Sequence, residues 1–148
     1  MKISINKILK ELEFLPEYDT QISLQGVEGQ TDPFYGTGKL ADCKHKESEF
    51  IHPLFAELKY TNKVLSDLGM YRTRLMKLKP FHCYSYHRDA SKRIHIPIIT
   101  NERCMFIIDD EVHRYPADGN SYLLDTTKPH TAINGSYEDR YHIVGCVH

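Results

Sequence analysis

The sequence has no tryptophan, no long apolar run, no Cys-x-x-Cys pair and no excess of charge of either sign. Each shortage excludes a class. Cys43, Cys83, Cys104 and Cys146 lie far apart, which suggests neither a thiolate zinc site nor a dense disulfide framework and fits a reducing cytoplasm. With 19 Lys+Arg against 20 Asp+Glu the formal charge is −1, so neither nucleic acid nor an anionic membrane is expected as the main partner. Lys and Asn interrupt the apolar residues of the first ten positions, unlike a secretory signal, and no stretch approaches membrane-spanning length.

Histidine, by contrast, is abundant: nine in 148 residues, more than structure alone usually demands. The length suits one domain with one core. Ile5, Ile8, Leu9 and Leu12 recur at helical spacing, and Pro16 requires that helix to have ended. Residues 19–40 carry four glycines and Pro33 around a short Ile22/Leu24 alternation, predicting one strand and a long loop able to cover a site. A second helix is expected with Pro53 in its first turn, burying Leu54, Phe55, Leu58, Leu65 and Leu68 and stopping at Gly69. After Gly69 the period changes to 2. Eight short strands are expected, over 71–79, 82–87, 93–100, 104–108, 111–115, 121–124, 130–133 and 140–147, separated by turns such as Asp109-Asp110 and Asn134-Gly135. Consecutive strands after helices predict a mainly β fold, an antiparallel barrel or two-sheet roll buttressed by about two helices. In that reading 1–69 supports a core over 70–148 and offers it a substrate lid, the whole forming one domain over 1–148.

Alternate side chains of a strand share a face, so His87 and Asp89 are expected to point together into the barrel, with Arg88 pointing away. His130 supplies a third ligand from a separate segment. Two imidazoles and a carboxylate occupy one face of an octahedron, which suits Fe(II) with open positions, where zinc is usually satisfied with fewer ligands. Arg140, ten residues further on, would enter the same cavity and require an anion; the distal carboxylate of a metal-chelating 2-oxoglutarate would serve. In Arg93-Ile-His-Ile-Pro-Ile98, Arg93 and His95 form a polar face that, taken alone, reads as solvated.

In order, Arg74-Leu-Met-Lys-Leu-Lys-Pro80, His87-Arg-Asp89, Arg93-Ile-His-Ile-Pro-Ile98, Gly119 with Leu124-Asp125, His130, Asn134 and Arg140-Tyr-His142 resemble the core of the aspartyl/asparaginyl β-hydroxylases. That resemblance covers residues 70–148. It implies a double-stranded β-helix of the jelly-roll or cupin kind, with Fe(II) on His87, Asp89 and His130 and 2-oxoglutarate on Arg140. Arg93 and His95 would contact the co-substrate or line its pocket, His142 less clearly so. The implied activity is hydroxylation of an amino-acid side chain, in a protein, a peptide or a free amino acid, with dioxygen consumed and succinate and CO2 released. Family members commonly carry Gly where this chain has Phe81, so the turn there is expected to differ. A cupin-like metal isomerase and an idle β-barrel binding module are the competing readings; neither needs Arg140 paired to a diacid.

Overall fold

The described residues, 1–40 and 44–148 of a computed structural model, begin with α1 (Ile5–Leu12), β1 (Gln21–Ser23) and β2 (Gln25–Gly26). Cys43 lies outside them. A 3-10 turn at Glu47–Glu49 leads to β3 (His52–Pro53) and α2 (Lys59–Asp67). The strand half follows as β4 (Tyr71–Leu78), β5 (His82–Cys83), β6 (Arg93–Ile99), β7 (Cys104–Ile108), β8 (Glu111–His113), β9 (Tyr122–Leu124), β10 (His130–Asn134) and β11 (Arg140–Cys146).

One sheet runs β1-β4-β11-β6-β9 and the facing sheet β5-β10-β7-β8. From β4 onward the chain crosses repeatedly between the two sheets, with antiparallel pairing throughout. The fold is therefore a double-stranded β-helix. The tight turn Asp109-Asp110, with φ 51 and 64, is the primed geometry that a two-residue hairpin between β7 and β8 requires.

Period-2 patterning assigns the faces. Leu75, Ile94, Ile96, Ile98 and Ile143 pack outward with Ile8, Leu58 and Leu65 from the helical half. Full burial of one such side chain is worth roughly 1.5–3 kcal/mol. The outer face thus carries the core, which leaves the inner face free to hold polar groups. Arg93 and His95 are buried there, not solvated as their strand alone suggests. Leu78, Phe106, Ile108, Leu124 and Ala132 form a smaller inner cluster.

The second helix departs from expectation. Pro53 lies in β3, which pairs with Gln25–Gly26, and the helix begins only at Lys59. Leu58 and Leu65 are buried as expected, whereas Leu54, Phe55 and Leu68 are only half-buried. The start is fixed from outside: the Glu11 carboxylate of α1 accepts from Tyr60 N (2.8 Å), Thr61 N (2.7 Å) and Thr61 Oγ1 (2.7 Å). Glu11 thereby caps a helix remote in sequence. Burial would raise its carboxyl pKa, but the hydrogen bonds from Thr61 and Tyr60 outweigh that and lower it. A lowered folded pKa means stability present above the unfolded value and lost as pH falls through the folded one. Glu11→Ala is expected to cost about 1–2 kcal/mol at pH 7, read by urea unfolding. The gap to wild type should close in acid.

Phe81, at the turn into β5, takes φ 56, the left-handed region that favours glycine. The turn keeps that conformation with a bulky residue, whose exposed ring meets Tyr137 edge-on at 4.9 Å between centroids. No helix among the described residues is long and apolar enough to cross a membrane.

Candidate metal centre

β5 is shorter than its sequence pattern predicts and ends at Cys83. Its pairing with β10 resumes at His87, opposite His130. From Cys83 to His87 the chain advances four residues (87 − 83) while its partner, from Ile133 back to His130, advances three (133 − 130). The extra residue is a bulge, which bends the strand and re-aims the side chains beyond it. Cys83 consequently faces solvent, where an unbroken strand would put it on the face of His87. The shared orientation of His87 and Asp89 comes from this irregular segment and not from one regular strand.

Backbone bonds fix the segment. His87 N donates to His130 O (3.0 Å), His130 N to His87 O (2.9 Å), and Asp89 N to Thr126 O (2.8 Å). The ring nitrogens are assigned by their surroundings. His87 Nδ1 lies 2.6 Å from Ser85 O and His130 Nδ1 lies 2.9 Å from Lys128 O. A carbonyl only accepts, so both Nδ1 atoms carry the proton and both Nε2 lone pairs are free. Those lone pairs converge on one carboxylate. His87 Nε2 is 3.6 Å from Asp89 Oδ1, and His130 Nε2 is 3.5 Å from Asp89 Oδ2.

One ligand atom from each residue lies within 4.8 Å of the others. With these tautomers, three acceptors meet without a donor between them, an arrangement that a metal cation satisfies and that imidazoles held through Nδ1 commonly serve. The donor set fits Fe(II). Side-chain exposure falls from 40% at His87 through 23% at Asp89 to 7% at His130, so the centre opens to solvent on one side.

Deeper in the barrel, Phe106 gathers three cationic or imidazole groups. His95 lies edge-on at 5.2 Å, His142 at 5.8 Å, and the Arg140 guanidinium carbon 5.5 Å from the ring centroid. His95 and His142 approach Nδ1 to Nδ1 at 3.1 Å, so one donates and one accepts. Burial, reinforced by Arg140, drives both imidazoles well below their usual pKa and keeps them neutral. Arg140 is only 2% exposed, and its Nε and His142 Nε2 are buried without a hydrogen-bond partner. No carboxylate pairs with Arg140 among the described residues' ion pairs. Among the described residues this inner cluster holds a cation without a partner anion.

Arg93 is placed differently. Its fork engages Glu47 Oε2 at 3.1 Å and Ser91, and its Nε lies 3.7 Å from Asp89 Oδ2. It stands beside the Asp89 carboxylate, while His95 and Arg140 pack against the Phe106 ring. Asn134 is structural: its Nδ2 donates to Leu78 O and Glu138 O, closing the turn between β10 and β11. His45 pairs with Glu49 at the surface and His52 is exposed, so both stand apart from the centre.

Sequence reasoning missed Phe106 and Glu47. Alternation in β7 already put Phe106 on the inner face, whereas Glu47, inside the run Lys44–Glu49, reads as ordinary surface charge.

Comparison with known proteins adds a family. The model for "Aspartyl/Asparaginyl beta-hydroxylase" matches residues 8–147. No curated protein matches the chain. Among solved structures, a protein of Photorhabdus luminescens is 18% identical with TM-score 0.44, covering 51% of this chain and 61% of its own. A cupin domain from Bordetella pertussis is 15% identical with TM-score 0.45, covering 52% and 80%. A predicted oxalate decarboxylase from Thermotoga maritima is 16% identical with TM-score 0.44, covering 57% and 72%.

Proposed function

The chain belongs to the aspartyl/asparaginyl β-hydroxylase family, and from that membership we propose that it is an Fe(II)- and 2-oxoglutarate-dependent dioxygenase. It hydroxylates an amino-acid side chain, in a protein or peptide or in a free amino acid. One observation carries this beyond the family: metal ligands and a buried, anion-free guanidinium occupy the same barrel. His87, Asp89 and His130 would hold the metal. Arg140, with His95 and His142 beside it, would hold the distal carboxylate of 2-oxoglutarate. A cupin isomerase or an idle module would have no use for a guanidinium there without a partner anion, and its burial would be a net cost that Phe106 and Tyr84 only partly offset.

When bound, the iron supplies oxygen activation: 2-oxoglutarate and dioxygen are converted to succinate and CO2, and one oxygen atom enters the substrate as hydroxyl. The protein's own task is placement. The neutral His95–His142 pair orders the cavity wall without adding a second charge, Phe106 excludes water, and the exposed side at His87 admits substrate. A reducing cytoplasm is part of the proposal, with Cys83, Cys104 and Cys146 as free thiols.

The test is product. Iron-loaded protein given 2-oxoglutarate and oxygen should release succinate, and a panel of amino acids and peptides should contain members that accelerate it. Succinate formation no faster than in a protein-free control, across the panel, would overturn the reading.

A further inference from the structure

Arg72, Arg74 and Arg93 all occur near a carboxylate of the N-terminal half, Glu47. Its Oε2 accepts from Arg72 Nη1 (2.7 Å), Arg93 Nη2 (3.1 Å) and Cys146 Sγ (3.2 Å). Arg72 also donates to Gly36 O and Gly38 O, so the glycine-rich loop and the Glu47 turn are tied to β4 by one side chain. Arg93 Nη1 is likewise held locally, by Ser91 O and Ser91 Oγ, which leaves Nη2 and Nε to face carboxylates. Among the described residues Arg93 meets only two carboxylates, Glu47 and the proposed ligand Asp89.

The two contacts are unequal. Glu47 is within hydrogen-bond reach, whereas Arg93 Nε stands 3.7 Å from Asp89 Oδ2, the same oxygen that faces His130 Nε2. A guanidinium deprived of other anions closes on a carboxylate bidentately and occupies both oxygens. A carboxylate held that way is a poor metal ligand.

We propose that Glu47 is a positioning residue for the metal centre: by holding Arg93 it keeps the Asp89 carboxylate free to ligate. The N-terminal half would thus enter the chemistry through one charge. This rests on the proposed metal reading but is separable from it, because its readout is metal affinity in the absence of turnover.

The probe is Co(II), titrated anaerobically into metal-free protein and followed by its visible absorption. Glu47→Gln should weaken Co(II) binding tenfold or more, the scale on which partners of metal ligands act, and Glu47→Asp should recover part of the loss. With Arg93→Gln in the background, Glu47→Gln should change affinity less than twofold, since nothing then competes for Asp89. Equal affinity of wild type and Glu47→Gln overturns the proposal. So does an equal loss in both backgrounds, which would mean a general structural role. Should Glu47→Gln fail to fold, Glu47→Asp in the two backgrounds makes the same comparison: weakened binding only where Arg93 remains supports the proposal, and no change overturns it. A wild-type protein that binds no Co(II) overturns the metal reading and this inference with it.

Discussion

His87→Ala and His130→Ala should each abolish iron-dependent succinate release and weaken Fe(II) or Co(II) binding by more than roughly a hundredfold, beyond the 10–100-fold that loss of a ligand's supporting partner costs. The proposed centre offers three protein ligands, and removing one would leave two, too few to hold a labile divalent ion tightly. The substitutions should differ in a second respect. His87 is exposed, with 40% of its side chain accessible, so its removal should alter folding stability by less than about 0.5 kcal/mol. His130 is buried at 5% exposure, and its loss also opens space beneath the barrel mouth. His87→Ala is therefore the cleaner test, separating loss of metal from loss of fold. Metal titration and urea unfolding on the same preparation measure both.

Arg140 should show opposite signs in two measurements. Its guanidinium is buried beside Phe106 with Nε unpartnered, and burial depresses its pKa. In the absence of an anion its burial is offset only by neutral neighbours, the Phe106 ring and Tyr84 among them. Arg140→Met, which keeps length and apolar volume, should therefore make the metal-free protein more stable, by about 1–4 kcal/mol on the scale seen when buried ions are replaced by hydrophobic residues. The same variant should bind 2-oxoglutarate at least roughly 30-fold more weakly, because truncating one partner of a buried charge pair costs about 2–5 kcal/mol. A residue needed only for structure would lose stability. One that serves only the ligand gains it. Affinity for 2-oxoglutarate can be followed anaerobically through the absorption band that develops on the iron-loaded protein.

Much of the architecture was legible because each strand declares its period and each turn its residues. Seven of the eight strands of the barrel begin and end within two residues of where alternation and the Asp109-Asp110 and Asn134-Gly135 turns place them, and only β5, expected to reach His87, stops short at Cys83. The second helix was not. A Pro in the first turn is a helix signal, but His52–Pro53 pairs with Gln25–Gly26, residues 26 (52 − 26) and 28 (53 − 25) apart in the chain, a contact that local pattern cannot convey. Its true start is set by Glu11, farther still at 50 residues from Thr61. In the site, the residue types and chain order of His87, Asp89, His130 and Arg140 pointed to one chemistry, and the structure gathers them in one barrel. The bulge between Cys83 and His87 was invisible, because one extra residue in an edge strand leaves no mark on alternation over so short a run. Glu47 was hidden for another reason. Its partners, Arg72 and Arg93, are 25 and 46 residues away, and nothing in a Lys/Glu-rich stretch distinguishes a half-buried, paired carboxylate from a solvated one.

The central claim is that one metal ion and one molecule of 2-oxoglutarate share this barrel. The most direct measurement is the anaerobic difference spectrum of iron-loaded protein on addition of 2-oxoglutarate. A new visible band that saturates at one equivalent, and is absent from His87→Ala, is the expected result. Iron bound stoichiometrically with no spectral response to 2-oxoglutarate would contradict it.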